Sequence, residues 1–162
     1  MTAAAKTPAQ RGQAARRKGA VFERAIVTAL RPWFPDIRRS RDNGSATTSD
    51  TGDLIDAGPF WWSLKDDKSG DLSTPSVIDG WWRDAETKAG DLTPLLVQKR
   101  RGHTDPLHSW VWLRACDFAH FATGADCDLG PGLTRLELGF FLAVLVRANY
   151  ALDPRRRFLD EE

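Results

Sequence analysis

The chain has 162 residues and a mass of 18.1 kDa, which is enough for one domain with a hydrophobic core. No apolar run approaches the roughly 18 residues that span a bilayer, and the small, basic N-terminus lacks the apolar segment of a secretory signal. The two cysteines have no metal-ligand spacing, which favours reduced thiols in a cytoplasmic protein over a disulfide.

Charge is divided unevenly along the chain, although the net charge is only +1. Residues 1–41 carry ten basic and two acidic side chains, a net of +8, whereas the remaining 121 residues carry thirteen basic and twenty acidic ones, a net of −7. A basic arm on an acidic body favours a polyanionic partner such as DNA. A solvated tail on an acidic domain is the alternative that composition leaves open.

The N-terminal third is predicted to hold a flexible arm, a helix and a loop. Residues 1–15 are small and polar without periodicity, and we expect a disordered basic arm there. Apolar residues at helical spacing predict a helix from about Arg16, which Pro32 ends. Glu23 lies at the border of its apolar stripe, so its carboxylate is expected at the edge of the core. Residues 35–51 read as a long polar loop.

A hairpin follows this loop. Leu54–Ile55 and Phe60–Leu64 are predicted strands, and Gly58-Pro59 forms the turn between them. Folding in this way brings Asp53 close to Lys65 and its neighbours. A carboxylate and an amine held on rigid strands can bind a divalent cation and stabilise charge on a phosphate. A surface hairpin with a solvated salt bridge is the alternative.

The rest of the chain alternates helix and strand. Thr74-Pro75 begins a helix that Gly90 ends, and its tryptophan pair at 81 and 82 is interpreted as core. The remaining predicted elements are strands at 95–98 and 107–114, a short helix over 115–121, a strand or lead-in at 133–138 and a helix over 138–148. This pattern predicts an α/β fold, a central mixed sheet flanked by helices on both sides. We expect one domain over residues 16–150 and a charged tail over 151–162.

At this point the chain resembles the PD-(D/E)xK nuclease superfamily, and within it the phage-type Holliday-junction resolvases. The stretch RRKGAVFERAIV (16–27) looks like a basic first helix that carries a metal-site glutamate. GDLID (52–56) supplies the motif aspartate, and FWWSLK (60–65) is similar to the strand that ends in the catalytic lysine. The resemblance covers residues 16–114. Each motif is short and degenerate, so the specificity lies in their order and spacing.

The resemblance implies a restriction-endonuclease-like domain that cleaves branched or junction DNA as a homodimer, with Mg²⁺ or Mn²⁺ as cofactor. It places the protein in the cytoplasm, or in the host cytoplasm if it is phage-encoded. Asp53 would ligate the metal, Glu23 would assist directly or through water, and Lys65 would position the attacking water or stabilise negative charge. Three basic clusters would hold the DNA backbone by charge: Arg16, Arg17 and Lys18; Arg38, Arg39 and Arg41; and Lys99, Arg100 and Arg101.

Ser63 departs from the pattern, because the superfamily has a second acid two residues before the lysine. A hydroxyl binds Mg²⁺ far less well than a carboxylate. Three accounts stay open. Asp67 supplies the charge, since strand alternation places it on the face of Ser63 and Lys65; or Asp66-Asp67-Lys68 is the working motif; or the site is weakened and the fold serves DNA binding.

Further candidates have weaker support. Gln98, at a strand end, is either a contact for a metal-bound water or phosphate, or an exposed amide. His103, His108 and His120 are scattered without flanking acids, and we interpret them as surface or core residues. Two hypotheses compete with that of a resolvase: another DNA nuclease of the same superfamily, and a DNA-binding protein without catalysis.

Overall fold

The computed structural model describes residues 7–43, 52–67, 73–126 and 128–152. The described chain forms an α/β fold in which a six-stranded mixed sheet is flanked by helices, consistent with a restriction-endonuclease-like architecture. The helices are α1 (Pro8–Leu30), α2 (Pro75–Ala89), α3 (Ala115–Thr123) and α4 (Leu138–Arg147). The strands are β1 (Arg38–Arg39), β2 (Leu54–Ile55), β3 (Phe60–Lys65), β4 (Thr93–Gln98), β5 (Trp110–Arg114) and β6 (Leu133–Glu137).

Strand order in the sheet follows chain order, from β1 to β6. Neighbouring strands are antiparallel except β3 and β4, which are parallel. A parallel pair needs a crossover connection, and α2 supplies it. The carboxyl ends of β3 and β4 therefore meet at one edge of the sheet, where Lys65 is paired with Gln98.

The sheet buries both faces, because successive side chains of a strand point to opposite sides. On one face α1, α3 and α4 pack over a core that includes Trp62 and Val97. On the other face α2 packs over Trp61 and Leu96. The predicted arrangement with helices on both sides is confirmed. None of the described helices is both long enough and apolar enough to cross a bilayer.

Helix α1 begins earlier than the sequence suggested. It starts at Pro8, not near Arg16, so the expectation of disorder is wrong for residues 8–15. Thr7 and Gln10 form a capping box, which satisfies amide groups at the helix start that have no partner within the helix. Residues 7–18 are exposed, so this part of the helix is stabilised by its cap and its alanines and not by packing. Residues 1–6 lie outside the described part of the chain.

The predicted loop over 35–51 contains a strand. Arg38 and Arg39 pair with Ile55 and Leu54, and a 3₁₀ turn over Ser40–Asn43 follows. Two residues are too few to show the alternation that marks a strand, and their hydrogen bonds come from β2, which is distant in sequence. The strand predicted at 107–114 begins only at Trp110, because Pro106–His108 forms a 3₁₀ turn.

Candidate active site

Asp53 is fixed against β3 by two hydrogen bonds. Its backbone N–H donates to the Trp62 carbonyl oxygen at 2.7 Å, and its Oδ2 accepts from the Leu64 N–H at 2.6 Å. Gly52, the residue before it, has a φ of +71°, and a Cβ there would lie 2.7 Å from the Trp62 oxygen. A glycine is therefore required for β2 to approach β3 this closely. The half-buried carboxylate lies at the peptide that joins Ser63 and Leu64.

Lys65 lies on the same side of the sheet as Ser63. Alternation along β3 directs both toward the face that α2 covers, and the β2–β3 register places Asp53 opposite Ser63. Ser63 is buried, whereas Lys65, the last residue of the strand, is half-buried. Within the described chain, the Lys65 amine makes no ion pair with a carboxylate. This amine is thus available to a ligand.

Glu23 lies on α1, which packs on the other face of the sheet from Ser63 and Lys65. It is only 7% exposed, and its carboxylate oxygens lie 3.6 Å from Arg39 Nη1 and 4.0 Å from Arg41 Nη2. The residue between these arginines, Ser40, donates its N–H to the Asp53 carbonyl oxygen at 3.1 Å. The end of β1 therefore contacts the Glu23 carboxylate and the Asp53 backbone, although α1 packs on the face of the sheet opposite to that of Ser63 and Lys65.

Asp66, which was predicted only as part of an alternative motif, forms ion pairs with two lysines at this edge of the sheet. Its side chain is 5% exposed, with Lys18 Nζ 2.8 Å from Oδ1 and Lys99 Nζ 3.4 Å from Oδ2. The Lys99 amine also lies 5.6 Å from the centroid of the Phe22 ring. The lysines are 48 and 33 residues from Asp66 in sequence, so no local pattern could reveal the contact.

The strand-alternation argument for Asp67 is wrong, because β3 ends at Lys65 and alternation stops there. Asp67 follows the strand as a half-buried residue. Lys68, the lysine of the alternative motif, lies outside the described residues. Asp67, four residues after Ser63, is therefore not on the strand that carries Ser63 and Lys65.

The carboxylates do not form a preformed metal cage. In residues 7–43, 52–67, 73–126 and 128–152, no three His, Cys, Asp or Glu side chains are grouped so that they could hold a metal ion. Mg²⁺ is often held by only one or two carboxylates, together with water and substrate phosphates. Asp53 fits that role, because its Oδ1 has no hydrogen-bond partner in the described chain while Oδ2 holds the side chain in place.

The predicted DNA-binding residues surround these acids, and several already pair with them. Arg16 and Arg17 are exposed on α1, and Arg101 is exposed after β4. Arg38 lies 2.8 Å from Asp56, and Arg100 lies 3.4 Å from Glu137. Lys18, Arg39, Arg41 and Lys99 contact Asp66 or Glu23, as described above. The three clusters, distant in sequence, thus provide basic side chains around one edge of the sheet.

Gln98 is not an exposed amide, so that reading is wrong. It is 1% exposed, and its amide donates to Ser73 Oγ at 3.0 Å and accepts from Trp112 Nε1 at 3.1 Å. Two of the histidines contact acids that do not flank them in sequence. His108 Nδ1 lies 3.1 Å from Glu137, and His120 Nδ1 lies 2.9 Å from Asp126.

Comparison of the chain with models of protein families, with curated proteins and with solved structures finds no match.

Proposed function

We propose that this protein is a Mg²⁺-dependent DNA endonuclease that acts on branched or junction DNA. The observation that carries the proposal is the position of Asp53. Its carboxylate is held at the Ser63–Leu64 peptide of β3, directly before Lys65, and in the described residues neither its Oδ1 nor the Lys65 amine has a polar partner. An acid and an amine on adjoining strands suit cleavage of a phosphodiester, because one binds a cation and the other stabilises negative charge.

Each side chain has a separate task in this proposal. Asp53 is the carboxylate ligand, and Glu23, a buried acid on α1, contributes negative charge directly or through water. Lys65 orients the attacking water or donates a hydrogen bond to the phosphate oxygen that gains charge. Mg²⁺, when bound, supplies polarisation of the phosphate and lowers the pKa of water.

The DNA backbone is held by the basic clusters around this edge. The exposed Arg16, Arg17 and Arg101 contact phosphates, which contribute affinity without reading the sequence. A homodimer follows from the resemblance to junction resolvases, since two symmetric cuts need two equivalent sites. Gel filtration of the free protein and of its junction complex measures whether the protein is a dimer.

The decisive variant is Asp53→Asn, which removes the negative charge and keeps the shape of the side chain. Cleavage of a synthetic four-way junction in Mg²⁺ should fall on the order of 10³-fold, because several kcal/mol of charge stabilisation is lost. Junction binding without metal should change by less than about threefold, since backbone contacts supply the affinity. Asp56→Asn is the matched control in the same hairpin. Asp56 is exposed and has a φ of +58°, which asparagine tolerates.

Two results would contradict the proposal. If Asp53→Asn and Asp56→Asn cleave at the same rate, the site is assigned to the wrong residues. If the wild-type protein cuts a linear duplex as fast as the junction, the hypothesis of a junction resolvase is wrong and that of another DNA nuclease is favoured.

A DNA-binding protein without catalysis is the second candidate. It is favoured by Ser63 in place of an acid and by Asp66, whose carboxylate is occupied by Lys18 and Lys99. Such a protein would bind junctions with a steep salt dependence and would cut none of them in either Mg²⁺ or Mn²⁺. Cleavage by the wild-type protein that Asp53→Asn abolishes rules this candidate out.

A further inference from the structure

Arginine and tryptophan side chains stack in a row on the face of the sheet that α2 covers only in part. Arg100 Cζ lies 4.4 Å from the centroid of the Trp110 ring. Arg135 Cζ lies 4.5 Å from the same ring and 5.3 Å from that of Trp112. We call Arg100, Trp110, Arg135 and Trp112 the Arg–Trp row. Contacts of this kind hold each guanidinium group against the surface of a tryptophan ring.

The row lies on the same face as Lys65. Lys65 on β3 pairs with Gln98 on β4, Gln98 pairs with Trp110 on β5, and Trp110 pairs with Glu137 on β6. Residues paired in this way point to the same face of the sheet. With strands about 4.8 Å apart, Trp110 is roughly 10 Å from Lys65 along the sheet. A chain bound at the candidate active site would therefore reach the row after a few nucleotides.

Arg135 is the member of the row that is open to a ligand. Its side chain is exposed, and it forms no ion pair with a carboxylate in the described chain. It borders a groove of about 470 Å³ between the start of α2 and β6, which Trp112 and Leu133 also line. Arg100, in contrast, is paired with Glu137 at 3.4 Å. A guanidinium group held beside a groove with an aromatic wall can bind a phosphate, while the groove accepts a base.

We propose that the Arg–Trp row binds a single-stranded segment of nucleic acid. Unpaired bases stack on aromatic rings or on guanidinium planes, and each such stack contributes about 1–3 kcal/mol. Arg135 contacts a phosphate of the same segment. The identity of the ligand as the DNA being processed rests on the proposed function, and a branched DNA with a flap or an unpaired arm supplies single-stranded bases that a continuous duplex does not. The row thereby selects substrates with a single-stranded portion.

A duplex is less suited to this surface, because its base faces are stacked inside the helix and only its phosphates reach an arginine. A second copy of the chain would cover the tryptophans but would leave Arg135 without an anionic partner unless it supplied a carboxylate. Charge therefore favours nucleic acid. Binding of a duplex and binding of a second copy are outcomes that the experiment distinguishes from single-strand binding.

The experiment measures fluorescence anisotropy of a labelled oligothymidylate of about 12 nucleotides, and of a blunt duplex of the same length, in EDTA. Arg135→Ala should weaken single-strand binding about tenfold and reduce the salt slope by about 0.7, the value for one phosphate contact on a single strand. Trp110→Leu should also weaken binding while leaving the salt slope unchanged, because it removes the ring that both guanidinium groups pack against and removes no charge.

Two further variants make the comparison specific. Arg147→Ala removes the same charge from the exposed side of α4, on the opposite face of the sheet, and should change single-strand affinity by less than about twofold. Asp79→Asn removes an exposed acid from the groove and should strengthen binding. Circular dichroism establishes that each variant is folded.

The proposal is overturned if Arg135→Ala and Arg147→Ala have equal effects, or if Arg135→Ala weakens the duplex as much as the single strand. It is also overturned if the variants change the sedimentation of the free protein and not its DNA binding, which would assign the row to a second copy. The outcome is separate from that for Asp53, because binding is measured without metal. Loss of cleavage alone leaves the row intact, and loss of single-strand binding alone leaves the nuclease intact.

Discussion

At the scale of single residues, Asp66 determines how charge is arranged at the edge of the sheet. It is nearly enclosed, while the two lysines that contact it are 48% and 39% exposed. Lys18 and Lys99 therefore have two possible partners, Asp66 and a phosphate. On the proposed function, a bound DNA strand would compete with Asp66 for them, and the carboxylate would limit how strongly these lysines attract DNA before it docks.

We expect Asp66→Asn to lower the free energy of unfolding by about 1–2 kcal/mol, because two charged contacts are lost but the lysines stay hydrated. DNA affinity should rise and the salt slope should steepen, since both lysines become available to phosphates. Urea denaturation and anisotropy measure the two effects. The control is Asp84→Asn, which removes an exposed pair with Lys88 and should cost no more than about 0.5 kcal/mol. A fall in DNA affinity would show that Asp66 takes part in binding directly.

At the scale of elements, the short strand β2 positions the catalytic candidate. It has two residues, and its partner β3 has six. Such a short strand contributes little stability by itself, so its position depends on β1, β3 and the backbone bonds of Asp53. Gly52 makes this position possible, because its positive φ and missing Cβ allow the chain to pass close to Trp62.

Gly52→Ala should therefore lower the free energy of unfolding by about 1–3 kcal/mol, from the left-handed backbone and the contact with the Trp62 oxygen. Cleavage should decrease more than DNA binding, because Asp53 is the next residue. Gly12→Ala is the matched control: it lies on the exposed start of α1, where a Cβ meets no heavy atom of the described chain within 4 Å. That substitution should leave stability unchanged or raise it by up to about 1 kcal/mol. Equal effects at both positions would contradict the role given to Gly52.

At the scale of the whole molecule, stability depends on pH through a carboxyl group far from the candidate site. Burial raises the pKa of Asp117 above its ordinary value of 3.8, and the nearby positive charge of Arg114 offsets this only in part. The folded protein therefore holds this proton more tightly than the unfolded chain does. Its contribution to stability is present at acid pH and is lost as the pH rises from 3.8 through the raised pKa.

Asp117→Asn should raise the free energy of unfolding at neutral pH, because an amide has no charge to desolvate. The advantage should disappear at about pH 3, where the wild-type carboxyl is protonated in both states. Urea denaturation of both proteins at the two pH values measures the difference. Asp91→Asn, an exposed carboxylate of the same surface cavity, serves as control and should change stability by no more than about 0.5 kcal/mol. A gain from Asp117→Asn that is equal at both pH values would contradict the argument.

Elements with strong local signals were predictable in detail. Helix α2 runs from Pro75 to Ala89, between the Thr74-Pro75 start and the Gly90 stop. Strand β3 ends at Lys65, one residue beyond the predicted Leu64, and this places the lysine at the carboxyl end of the strand. The start of α1 was missed, because the alanine-rich, exposed segment after Thr7 has no apolar stripe and depends on its cap.

Periodicity and turn residues are local features, and they were enough to predict the α/β class, the hairpin that carries Asp53 and Lys65, and the helix that carries Glu23. Three other features are visible only in the folded chain: Asp66 binds Lys18 and Lys99, Gln98 is buried between Ser73 and Trp112, and arginines pack against Trp110. These contacts join residues on different strands and helices. Their energies depend on burial and charge in three dimensions, which no short window of sequence records.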